Sequence, residues 1–467
     1  MRRASSAAWP TMALASLLCA CAAPVPPAPA PAPLAGPDWR TRIGPEGEAR
    51  PVERQWWQAF HDPALSALVT AALERNGDLR VARARVSEYR ARVALAGAGQ
   101  QPTLSVDAAS TRARALAPNG LPRVGDVWLV ELQAAYEVDV WGRLGRLTQA
   151  AEAGFQAERA NADAAALSIA ASAASGYLNL RGLDAQLELT RATLVLREQS
   201  RELARRQFEV GYSSRLEWLQ AQTEYQTAAE SVPQLERAIF EQENALALLT
   251  GGAPGPVARG VPLTALGAPP VPAGLPSDLL RRRPDIARAE RNLLAANANL
   301  VATRDQLLPS FRLTAGAGIQ AATLRTLLDA PTQLWRLGGS VLAPLLDGGR
   351  VRAQTDAAAA QRDQTLFVYE NTVRAALAET ENGLGALYRL RQQAVQNDAR
   401  RAIAADTLRI AHNRYRNGYA SYLEELDAQR NLYSADLGRL QLRARLLVAS
   451  VDLYRAMGGG WSDQDAP

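Results

Sequence analysis

The strongest constraint on this chain is that it repeats itself. The twelve residues from Gly211 to Gln222 return as Gly418 to Gln429, identical at eight of twelve positions and offset by 207. The same offset relates Pro102 to Pro309, Trp128 to Trp335, Gly142 to Gly349 and Gly251 to Gly458. A fixed period held over so many landmarks marks a tandem duplication. One architecture must therefore be built twice, in residues 38–252 and again in residues 277–460. The Pro-rich segment 253–276 joins the copies.

Each copy has two stretches of period-two alternation. Around Trp128 the residues Trp128, Val130, Leu132, Ala134, Tyr136 and Val138 share one face, while Glu131, Gln133 and Glu137 take the other. Strands are predicted at about 103–113 and 127–140, and at about 310–320 and 333–346, with outward loops at 114–126 and 321–331. Taken singly, each fits a half-buried strand of a soluble sheet. Four together, with one apolar and one charged face, fit a sheet between lipid and water. The rest is helix. No proline interrupts 143–210, which predicts one helix of ~100 Å. Leucine seams at 180/187/194 and 189/196/203 lie on opposite sides of it, as in a stave with a neighbour on each side; a broad apolar face in an ordinary bundle is the competing reading. The second copy predicts its partner at 350–416. Return helices are predicted at 214–250, with a kink at Pro233, and at 421–456. The returning segments 78–101 and 214–250 together match the long helix, as a tube of uniform height requires.

The beginning reads as an address. Arg2 and Arg3 precede a short apolar run ending in Leu18-Cys19-Ala20-Cys21, the plan of a signal peptide over residues 1–20. The last four residues resemble a bacterial lipobox with Cys21 as the acylated residue. Cys19, preceded by two leucines, fits less well, and an ordinary signal peptide with an incidental cysteine is the plainer alternative. Ala22 rather than Asp comes next, which in bacterial lipoproteins favours the outer membrane. Residues 21–37 form a Pro/Ala tether.

Composition removes other classes. Two cysteines and two histidines far apart leave little for a metal site or a thiol nucleophile. All 52 basic residues are arginine and lie among 47 acids, so the net charge of +5 is no nucleic-acid footprint. No nucleophile elbow or phosphate loop is present, so neither an enzyme nor a cofactor is expected.

Two further motifs carry a resemblance. Trp56-Trp57 with Phe60, Asp62-Pro63 and Asn76-Gly77-Asp78-Leu79 resembles the opening of outer-membrane efflux proteins, and the run from Leu275 to Ile286 resembles that family's repeat junction. The chain is identified as resembling the outer-membrane factor (TolC-like) channels, in their NodT-like lipoprotein branch. The resemblance implies an α+β homotrimer, a 12-stranded outer-membrane β-barrel continued by a long periplasmic α-helical barrel, with two tandem repeats per chain. It implies a passive exit duct for small molecules, coupled through a periplasmic adaptor (membrane fusion protein) to an inner-membrane, RND-type efflux pump. Val210, Gly211, Tyr212, Asn417, Gly418 and Tyr419 fall at the family's adaptor-docking tips. Glu217, Tyr415, Glu424 and Asp427 fall at its periplasmic gate, although Ala420 replaces an arginine found there in some members. The alternative is a lipid-anchored coiled-coil scaffold without a pore, which leaves the duplicated strands without a purpose.

Overall fold

A computed structural model describes residues 38–41, 52–116, 118, 120–271 and 276–461. Cys21, the tether and residues 272–275 of the linker lie outside them. The elements are α1 (Pro63–Arg75), α2 (Gly77–Ala98), β1 (Thr103–Leu116), β2 (Pro122–Val138), α3 (Arg143–Glu209) and α4 (Arg215–Leu249) in the first copy. The second copy supplies α5 (Pro284–Arg304), β3 (Ser310–Ala321), β4 (Thr332–Leu342), α6 (Arg350–Arg416) and α7 (Tyr422–Ala456). The long helices and return helices of the two copies begin and end at residues separated by 207. The chain divides into a strand-bearing unit, residues 99–147 and 297–362, and a helical unit holding the other described residues.

In the strand-bearing unit the four strands form one antiparallel sheet in sequence order. The register aligns Val106 with Leu132, Leu132 with Ala317, and Ala317 with Trp335. Since alternate residues of a strand share a face, Leu104, Val106, Trp128, Val130, Phe311, Leu313, Trp335, Leu337 and Val341 all fall on one side. The other side carries Asp107, Glu131, Gln133, Arg312, Thr314 and Arg336. There Glu131 lies 3.0 Å from Arg336 across β3, over Gly316, where a Cβ would collide with the glutamate. The first hairpin differs from expectation. Residues 114–116 and 122–126 pair in the ladder, Leu116 opposite Pro122, instead of forming a loop. Val124 continues the face of Trp128, an Arg112–Asp126 contact at 3.7 Å spans the strands, and Gly120 takes the positive φ of 76° that a short turn needs. The second outward loop contains a helical turn, Leu324–Asp329, closed by a Thr323/Thr326 capping box. β4 stops at Leu342, short of the expected 346, because Pro344 has no N–H for the ladder.

In the helical unit the core gathers Trp56, Trp57 and Phe60 with Leu65 and Val69 of α1, Tyr177 and Leu178 of α3, and Leu447 and Val451 of α7. Small residues in α3, notably Ala170, Ala173 and Ala174, are buried there and let the helices approach. Buried Asp62 ties the layers together. Its Oδ1 accepts the N–H groups of Ala64 and Leu65 at the start of α1, and its Oδ2 accepts the Tyr177 hydroxyl at 2.9 Å and the Val261 N–H at 3.1 Å. Pro233 sits inside α4 without ending it.

Candidate functional site

Each long helix turns back on itself at a glycine. The Tyr212 N–H donates to Gln207 O at 2.8 Å and the Gly211 N–H to Phe208 O at 3.0 Å; Tyr419 to Arg414 and Gly418 to Tyr415 repeat the pattern. This is a Schellman stop, with glycine in the left-handed region at φ 77° and 74°. The turns expose Val210, Tyr212 and Tyr419, with Tyr212 79% accessible. Asn417 bonds back to Asn413 O at 2.7 Å. Each tip thus presents aromatic and aliphatic side chains on a fixed backbone, a surface suited to contact.

Behind the tips, the four residues expected at the gate have unequal environments. Tyr415 packs with Tyr422, ring centroids 5.7 Å apart, in a small cluster with Ala204, Ala221, Leu426 and Trp218. Its hydroxyl donates to Gln207 Oε1 at 3.2 Å. Burial, reinforced by the charges of Glu217 and Glu425, pushes its phenol up to about 12. Glu217 has a second role: its N–H is capped by Ser214 Oγ at 3.3 Å, opening α4. Glu424 and Asp427 are exposed, 3.9 Å from Arg414 and 3.7 Å from Arg430. Surface pairs at such distances hold little energy.

A denser polar network lies one to two turns further in, and sequence reading did not single it out. Arg197 of α3, only 5% exposed, donates to Gln429 Oε1 at 2.6 Å and lies 3.3 Å from Glu224 Oε2 of α4. Arg430 of α7 donates to the other oxygen of Glu224 at 2.9 Å. Gln429 donates to Glu425 Oε1 at 3.0 Å, and His412 Nδ1 of α6 lies 2.8 Å from the same oxygen. Among these residues all four long helices are joined. The signal available in the sequence was a break in the repeat, since Arg197 faces Ala404 and Glu425 faces Trp218 in the alignment of the copies.

Among the described residues, no helix is long and apolar enough to cross a membrane, and no group of His, Cys, Asp or Glu is placed to hold a metal ion. The comparisons with known proteins agree with the architecture. Residues 68–252 and 275–459 each match the outer membrane efflux protein family. The efflux pump outer membrane protein TtgC of Pseudomonas putida, described as probable, is 36% identical over 422 residues, covering 88% of this chain and 86% of that protein. The pyoverdine export outer membrane protein OpmQ of the same species is 33% identical over 92% of each chain. The MtrE outer membrane channel of Neisseria gonorrhoeae, solved in its open state, superposes with a TM-score of 0.84 at 29% identity, over 94% of this chain and 99% of that one. The chain belongs to the outer membrane efflux protein family and is an outer-membrane channel component of an efflux system.

Proposed function

We propose that three copies of this chain close a twelve-stranded barrel around a water-filled lumen and act as the passive duct of a tripartite pump. The observation that carries this reading is the sheet. Its outer strands β1 and β4 each pair on one side only, and most of its large apolar residues share one face. Four strands cannot enclose a lumen alone, and open edges are not tolerated in lipid. Copies joined edge to edge remove both faults. The return helix α4 supports the same reading, because Leu219, Phe240 and Leu248 are exposed along it. Detergent-extracted protein should run as a heat-modifiable trimer and sediment at three times the chain mass. A monodisperse monomer that still conducts would overturn the proposal.

In this reading the tips around Gly211 and Gly418 dock on a periplasmic adaptor, which couples the duct to an RND-type inner-membrane pump. Glu217, Tyr415, Glu424 and Asp427 form the constriction, where threefold repetition concentrates negative charge. Neutralising Glu424 and Asp427 together should lower cation preference in single-channel recordings; unchanged selectivity would place the constriction elsewhere. Cys21 carries the lipid anchor, supported by Leu18 and Ala20 around it. A fatty-acid probe should label the wild type and not Cys21→Ala.

A further inference from the structure

The first hairpin of the sheet runs past the second and changes character as it does so. Along the apolar face of β2, Trp128 lies ten residues before Val138. That is about 34 Å of strand, or about 26 Å of height at the usual tilt of a barrel strand, close to the apolar band of an outer-membrane barrel. β3 ends opposite Trp128, at Ala321, whereas β1 and β2 continue to Leu116 and Pro122. On the same face, two residues beyond Trp128, Asp126 stands opposite Arg112; two further on, Val124 stands opposite Arg114.

These arginines are not part of the repeat. Their equivalents 207 residues later are Ile319 and Ala321, apolar residues of β3. Arg112 is weakly engaged, 76% exposed and 3.7 Å from Asp126. Arg114 is exposed and has no ion-pair partner among the described residues. Between Thr111 and Val127 the sequence has three arginines against the single acid Asp126. The third, Arg123, pairs with Ala115 and so falls on the polar face.

A charge on the lipid-facing side of a barrel is costly at mid-membrane and tolerated near the surface. The register sets Arg112 and Arg114 just beyond a tryptophan, the residue that marks that surface. Copies joined edge to edge cover the strand edges and leave this face open to lipid. A guanidinium matches a phosphate with two parallel N–H···O bonds. The two side chains are about 7 Å apart along β1, close enough to share one head group.

We propose that Arg112 and Arg114 form a binding site for phosphate-bearing lipid head groups of the outer leaflet, with a bisphosphorylated glycolipid of the lipid A class as the ligand. Three copies set six such arginines around the rim and tie the barrel to the leaflet about it. The inference rests on the reading that the sheet closes a barrel in the membrane.

The test is native mass spectrometry of the purified full-length protein, titrated with bisphosphorylated lipid A. Arg112→Gln and Arg114→Gln should each weaken binding about fivefold, and the double variant about twenty-five-fold. Arg123→Gln removes the same charge from the other face and should leave binding unchanged. Dephosphorylated lipid A should bind the wild type as weakly as the bisphosphorylated lipid binds the double variant. Equal binding by the wild type and the double variant, or an equal loss in Arg123→Gln, overturns the site. If the dephosphorylated lipid binds as well as the phosphorylated one, acyl chains hold it and the proposal fails. It fails also if inorganic phosphate competes at the same concentration as lipid A, because the site then takes a free anion. All three side chains are exposed, so every variant should assemble like the parent. A wild type that stays monomeric would instead defeat the barrel reading itself.

Discussion

At the foot of each hairpin, Asn76 and Arg283 occupy equivalent positions and perform one task with different chemistry. Asn76 donates from Nδ2 to Leu249 O at 3.0 Å, while its Oδ1 accepts the N–H groups of Asp78 and Leu79 at the start of α2. Arg283 donates to Ala456 O at 2.8 Å, the carbonyl 207 residues beyond Leu249, and also to Asp285 and Glu379. In both copies the residue satisfies the open carbonyl of a returning helix and fixes the next helix beside it. The neutral version is small and self-contained. The charged version recruits two carboxylates, and Glu379 passes the contact on to Arg455 at 2.6 Å. Duplication kept the geometry and let the chemistry drift.

The return helices differ in the same way. α4 has three buried residues and α7 has twelve. Phe240 is 63% exposed where its counterpart Leu447 is fully buried. The second return helix lies inside its own chain, whereas the first keeps an apolar face open. Hairpins of the same length and register thus differ in burial, one completing the core and one leaving apolar side chains open.

The largest expected effect comes from the glycines that stop these return helices. Gly251 and Gly458 both have positive φ, 66° and 89°. A Cβ at Gly251 would lie 2.7 Å from Arg75 O, and one at Gly458 would penetrate Arg282 O outright. Gly458→Ala should therefore abolish or severely reduce folded protein, and Gly251→Ala should cost less, on the order of 2–4 kcal/mol. Equal losses of thermal stability in the two variants would show that the copies are tighter equivalents than the backbone contacts indicate.

Next comes the junction itself. Arg283→Met strands Asp285 and one carbonyl and leaves Glu379 with Arg455 alone, a loss of about 3 kcal/mol, held to the lower end by the partial exposure of Asp285 and Glu379. Asn76→Ala loses neutral bonds alone and should cost about 1–2 kcal/mol. Acid should separate the two junctions further. Burial would raise the Asp285 carboxyl, but the Arg283 bonds and charge outweigh it and hold the group below its usual range. A depressed carboxylate stabilises fully above about pH 4 and loses that contribution as pH falls through its folded value. Below pH 4, amides at the end of α7 should exchange hydrogen sooner than those at the end of α4. Simultaneous loss of protection would contradict the difference.

Much of this was legible in the sequence because periodicity and duplication reinforce each other. Long helices were marked by uninterrupted alanine-rich stretches, and their ends by glycines that the repeat displayed twice. Alternation placed the four strands, and the register then gathered most of their large apolar residues onto one face. The strand ends were less legible. Residues 122–126 contain a glycine and an aspartate and read as a loop, yet cross-strand pairing extends β2 through them. The tip network was hidden for a different reason. Arg197, Glu224, His412, Glu425 and Arg430 are scattered over four helices, and only packing reveals that Arg197, Glu224 and Glu425 come together away from solvent with His412 and Arg430 at the exposed edge. Tyr415, Glu217, Glu424 and Asp427 came from family resemblance, not from spacing, and the structure divides them into one half-buried phenol and three carboxylates of differing exposure.

The smallest expected effect is at the tips, where the two copies are most alike. Gly211 and Gly418 have nearly equal φ, and a Cβ at either would meet nothing within 4 Å. With no clash, Gly→Ala should cost only the strain of a left-handed alanine, about 1 kcal/mol, and should do so equally in both copies. Thermal melts of Gly211→Ala and Gly418→Ala should shift by a few degrees at most and by the same amount. Any inequality must then come from the side-chain packing behind the turn. In the first copy Phe208 stacks on Trp218 at 5.5 Å; in the second, Tyr415 and Glu425 take those places and Tyr415 leans on Tyr422 instead. A larger loss in Gly418→Ala would mean that this ring contact transmits turn strain into the packing between the two hairpins. A larger loss in Gly211→Ala would mean that the aromatic stack is the less forgiving of the two.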